Sequence, residues 1–99
     1  MAYDPGALEA TLAAVVGEQI TLIAELRDAF FDSADGHVAA LKGATAQPVW
    51  DQAALRLRSL AASFGLQRMM DAAREAATVP CGDAKAMQRI ERALTALRG

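Results

Sequence analysis

The chain predicts an all-α protein, and three observations carry that expectation. About a quarter of the residues are alanine, and Leu, Glu, Arg and Gln, which also favour helix, supply much of the rest. Runs of β-branched residues, the usual mark of strands, are missing; Ile20-Thr21 comes nearest and sits inside a helical pattern. Apolar residues recur every three or four positions, and Gly, Pro and Asp punctuate the stripes. With 99 residues, 54% hydrophobic and 22% charged, the chain fits one folded domain over 1–99 and is too short for two.

The elements follow in order. Asp4-Pro5 starts a first helix, an acid at the cap and proline in the first turn. Leu8, Leu12 and Val15 or Val16 give its stripe, and Gly17 ends or kinks it. A second helix is predicted from about Glu18 to Asp32, with Leu22 or Ile23, Leu26, and Ala29 or Phe30 facing inward. Ser33-Ala34-Asp35-Gly36 then reads as a break, followed by a short third helix carrying Val38, Leu41 and Ala44.

Gln47-Pro48 opens a fourth helix, and Asp51 suits the positive end of its dipole. Its stripe is Trp50, Ala53, Ala54, Leu57, Ala61 and Phe64, and Gly65 supplies a left-handed stop. A fifth helix carries Leu66, Met69, Met70, Ala73 and Ala77 to about Thr78. Pro80 and Gly82 break the chain, and Asp83 caps a sixth helix striped by Met87, Ile90, Leu94 and Leu97. Short loops predict antiparallel neighbours: four longer helices around a shared core, with a short helix at the start and another inserted.

Charge and cysteine usage exclude several classes. A net charge of −2 and a pI near 5.2 argue against a nucleic-acid binder. One cysteine forms no internal disulfide, so a cytoplasmic protein is expected. No basic segment followed by an apolar core opens the chain, so no signal peptide is expected. No apolar run nears the roughly 18–20 residues that span a bilayer. Gly-rich phosphate loops, nucleophile elbows and metal-binding helix patterns are absent, so no cofactor or metal is expected.

The fourth helix has an informative outer face. At about 100° per residue, Leu55 falls roughly 150° from the direction of Trp50, Ala54, Leu57 and Ala61. Spacing therefore turns Leu55 toward solvent, with Asp51, Arg58, Ser59 and Ala62 around it. Ser59 and Ala62 are small enough for another backbone to approach, and Arg58 suits an anionic partner. A single exposed leucine is otherwise common on protein surfaces.

The same helix resembles the central helix of histidine-phosphotransfer (HPt) domains. Those carry a phosphorylatable His after a small residue, a Lys three positions on, a Gly four on, and an apolar-Gly pair at the close. Ala54, Arg58, Ser59 and Phe64-Gly65 fall on those places, and Leu55 stands at the histidine's. The likeness extends through Leu8, Leu12, Val16-Gly17, Leu22, Leu26 and Phe30. It continues with Leu41, Ala44, Trp50 and the last helix after Gly82-Asp83.

The resemblance implies an HPt-like antiparallel four-helix bundle with additional short helices. It implies a place in a two-component phosphorelay, with a response-regulator receiver domain or a histidine kinase as partner. Leucine has no lone pair, so the Leu55 position supports neither covalent catalysis nor proton transfer. A non-catalytic pseudo-phosphotransfer protein is therefore expected, not an enzyme. It would bind its partner through Asp51, Leu55, Arg58, Ser59 and Ala62. Two alternatives stand beside it: active phosphotransfer through another residue, or a helical oligomerisation module unrelated to phosphorelay.

Other candidates read as structural. His37 is the only histidine; Lys42 and Gly43 follow it by five and six positions, not three and four, and it reads as a surface histidine near a helix start. Cys81, between Pro80 and Gly82, has no second ligand at metal spacing and reads as a loop residue. Met69-Met70 and Trp50 read as core, and Asp28, Asp32 and Asp35 as a solvated edge at a helix end.

Overall fold

Proline in the first turn and glycine just past the last one bracket the central helix, and both signals act as the sequence predicts. The computed structural model describes residues 7–16 and 20–99, with side chains from Leu8 onward except at 13–16, 20 and 21. Five helices occur among the described residues: α1 (Ala7–Val16), α2 (Ile20–Gly43), α3 (Gln47–Ser63), α4 (Gln67–Ala76) and α5 (Ala84–Arg98). The expected start at Asp4-Pro5, the stop at Gly17 and the side chains of Val15 and Val16 lie outside what is described.

One predicted element is corrected. The break at Ser33–Gly36 does not form, and the second and third predicted helices are one continuous α2 of 24 residues. The apolar stripe explains why: Phe30, Phe31, Ala34, Val38 and Leu41 are all buried and run unbroken past the expected break. Ser33, Asp35 and Gly36 are exposed on the other side. A solvent-facing glycine costs a helix only about 1 kcal/mol, less than exposing such a stripe would.

The end of α3 is a Schellman motif. Gly65 adopts φ +66°, the Leu66 N–H donates to the Ala61 carbonyl at 3.0 Å, and the Gly65 N–H donates to the Ala62 carbonyl at 3.1 Å. At the start of α5 the Asp83 carboxylate accepts from the Ala86 N–H at 2.9 Å, the cap the sequence predicts.

Helices α2, α3, α4 and α5 contact one another in sequence order, and α2 also contacts α5, which closes the circuit; α1 packs on α2. Directions follow from side-chain pairs. Lys42 meets Glu91 and Asp35 meets Arg98, so α2 and α5 are antiparallel. The first turn of α3 meets the last turn of α4 where Trp50 Nε1 donates to the Ala76 carbonyl at 2.8 Å. Phe30 of α2 meets Phe64 beyond the far end of α3, edge to face at 5.1 Å.

The interior holds the large side chains expected of it: Leu8, Leu12, Leu41, Trp50, Leu57, Met69 and Ile90 are fully buried. Met70 and Met87 are half-buried against this core. No helix among the described residues is long and apolar enough to cross a membrane.

Candidate docking face

The inward stripe of α3 fixes what its other side presents. Trp50, Ala53, Ala54, Leu57 and Ala61 are buried, and this pins the rotation of the helix. Leu55 consequently stands 57% exposed, the most exposed large apolar side chain among those described. Arg58, Ser59 and Ala62 are exposed beside it.

Asp51 is different from its neighbours on this face. It is half-buried, and its Oδ1 accepts from Gln47 Nε2 at 2.8 Å. Gln47 also donates to the Val79 carbonyl at 3.2 Å and accepts from the Cys81 N–H at 2.8 Å. Asp51 therefore belongs in part to a clamp holding the loop after α4 against the start of α3. Nothing in the sequence pattern marks Gln47 for this task, because its partners lie more than thirty residues away.

Electrostatically the face is positive. Between Asp51 and Asp71 the chain holds Arg56, Arg58 and Arg68 and no acid. Among the described residues Arg56 and Arg58 enter no ion pair, whereas Arg27, Lys42, Arg74, Arg89 and Arg98 each pair with a carboxylate. Arg56, absent from the sequence-based set, lies on the flank of α3 nearer α2.

His37 sits within α2 and not near a helix start, which corrects its sequence placement. It is half-buried, and desolvation together with the Arg56 charge holds its imidazole below the ordinary value of 6.5. Lys42, which follows it in sequence, pairs instead with Glu91 of α5 at 2.6 Å. The Cys81 thiol is free, half-buried and donates to the Ala44 carbonyl at 3.2 Å.

A second feature lies on the α2–α5 side, an open depression of about 480 Å³ lined by Arg27, Asp28, Phe31, Asp32, Asp35 and Arg98. The Arg27 and Arg98 guanidinium carbons lie 4.7 and 4.6 Å from the centroid of the Phe31 ring. Arg27 also donates to Glu9 at 2.9 Å and to the Arg98 carbonyl at 3.2 Å. Of the three acids the sequence placed at a helix end, all lie inside α2, and Asp35 is paired with Arg98. No group of three or more His, Cys, Asp or Glu among the described residues is arranged to hold a metal ion.

No family model matches the chain, and no curated protein or solved structure matches it.

Proposed function

We infer that the protein is a pseudo-phosphotransfer module of a two-component phosphorelay, binding a receiver domain or histidine kinase through the outer face of α3 without relaying phosphate. One observation carries it: a leucine stands exposed where HPt domains place their phosphorylatable histidine, flanked by Arg58 and the small Ser59 and Ala62. The closed circuit of α2, α3, α4 and α5, with α1 packed outside it, is the support for an HPt-like four-helix bundle.

The chemistry separates docking from transfer. Leu55 contributes apolar area, at about 25 cal/mol for each Å² removed from water. It offers no nitrogen to attack an acyl phosphate, so the aspartyl phosphate of a docked receiver would be left intact. Arg58 keeps a positive charge where the family has lysine, as a planar fork instead of a point charge. Small side chains at 59 and 62 let the partner's backbone approach α3 closely.

A panel of receiver domains tests this directly. Wild type is expected to bind at least one member, and the double variant Leu55→Asp, Arg58→Glu to lose that binding. Equal binding by both would remove the α3 face as the docking surface. Incubation with phosphorylated receivers is expected to leave wild type without an acid-labile label. A label that disappears in His37→Gln would assign active phosphotransfer to His37 instead.

A further inference from the structure

The chain carries two exposed helix surfaces that complement each other. One is the outer face of α3, where Leu55 is 57% exposed between Arg56 and Arg58, which enter no ion pair among the described residues. The other is the solvent side of α2, where Leu22 is 40% exposed. Glu25 follows Leu22 by three residues and Asp32 follows Glu25 by seven, on the same side of the helix, with Asp28 at its flank. None of Glu25, Asp28 and Asp32 pairs with a cation among the described residues, although Asp35 and Glu9 nearby do.

We propose that the outer face of α3 docks on the acidic outer face of α2 in a second copy of this chain. Each surface offers one leucine; among the described residues Arg56 and Arg58 are the cations of the α3 face without an ion pair, Glu25, Asp28 and Asp32 are the acids of the α2 face without one, and the one acid on the α3 face, Asp51, is held by Gln47. The stripe from Leu22 to Asp32 is about 15 Å long and that from Leu55 to Ala62 about 10 Å, so one helix lies along the other within their described lengths. Like-charged pairings, α3 on α3 or α2 on α2, are disfavoured by the same charges.

The two surfaces lie on different sides of one molecule. The acids face solvent on the α5 side of α2, where Asp35 reaches Arg98, whereas α3 packs on the flank of α2 that carries His37. One chain therefore cannot satisfy its own pair. The contact is head-to-tail and does not close at two copies, so mass grows stepwise with concentration. The surface used is the one proposed above for the phosphorelay partner. Self-association then competes with that partner and keeps Leu55 covered in its absence.

Two variants and their mixture test the idea by light scattering on a sizing column. Wild type is expected to exceed the 10.4 kDa of one chain increasingly with concentration, and to return to it at about 1 M salt, where the Debye length is about 3 Å. Arg56→Glu, Arg58→Glu blocks the basic face, and Asp28→Lys, Asp32→Lys blocks the acidic one. Each alone should stay monomeric. Mixed, they hold one native pair of opposite faces and one charge-swapped pair between them, so the two chains should recombine and exceed the mass of a single chain. A wild type that stays at one chain's mass at millimolar concentration in low salt overturns the proposal. So does a mixture that fails to combine. The Asp28→Lys, Asp32→Lys variant keeps α3 unchanged, so its receiver binding reports separately on the function proposed above.

Discussion

Trp50 Nε1 donates to the Ala76 carbonyl at 2.8 Å, and this bond locks the first turn of α3 to the last turn of α4. The indole is fully buried, so its one polar atom needs that partner. Replacing Trp50 with Phe removes the donor and leaves the Ala76 carbonyl short of one bond. A loss of about 1–3 kcal/mol in unfolding free energy is expected. Urea denaturation followed by circular dichroism measures it, since the substitution removes the only tryptophan.

Two glycines should respond in opposite directions to alanine. Gly36 lies exposed in the middle of α2, and a Cβ built there meets nothing within 4 Å. Gly36→Ala is expected to stabilise by about 0.5–1 kcal/mol through helix propensity and chain entropy. Gly65 holds φ +66° in the stop after α3. Gly65→Ala is expected to destabilise by about 1–2 kcal/mol, although space is equally open. Midpoints of thermal unfolding for the two variants should fall on either side of wild type.

That pair of glycines also marks how far the fold could be read in advance. Gly65 follows a complete stripe and precedes a new one, so its stop was legible, as were Pro48 and the Asp83 cap. Gly36 came with Ser33 and Asp35, three turn-forming residues in four positions, and local signals favoured a break. Tertiary burial of Phe31, Ala34 and Val38 overrode them. The α3 face was legible because a helix with one clear stripe fixes its own rotation. The Gln47 clamp and the Arg98–Asp35 pair were not, because each joins residues distant in sequence.

His37 gives a pH dependence whose sign is fixed. Burial, and secondarily Arg56, lower its folded value below 6.5, the value expected in the unfolded chain. Between the two values the unfolded chain binds more protons. The stabilising contribution is therefore complete above pH 6.5 and declines as pH falls through the folded value. His37→Gln should flatten the stability profile over that window relative to wild type. Urea midpoints collected across it supply the comparison.

Gln47 ties the loop that carries Cys81 to the start of α3. Its side chain holds the Cys81 N–H and the Val79 carbonyl, while the thiol donates to the Ala44 carbonyl. Gln47→Ala frees the loop at a cost of about 1 kcal/mol. The Cys81 thiol should then react faster with an aromatic disulfide reagent than in wild type. An unchanged rate would mean that the loop keeps its position without the clamp.

Amide chemical-shift mapping decides whether the outer face of α3 docks a receiver domain. The Asp28→Lys, Asp32→Lys chain, kept from self-association, would be labelled with nitrogen-15 and titrated with an unlabelled receiver. Shifts concentrated at Leu55, Arg58, Ser59 and Ala62, with the buried stripe of Leu57 and Ala61 following more weakly, are the predicted result. Binding that shifts residues elsewhere and leaves those four amides in place would contradict it.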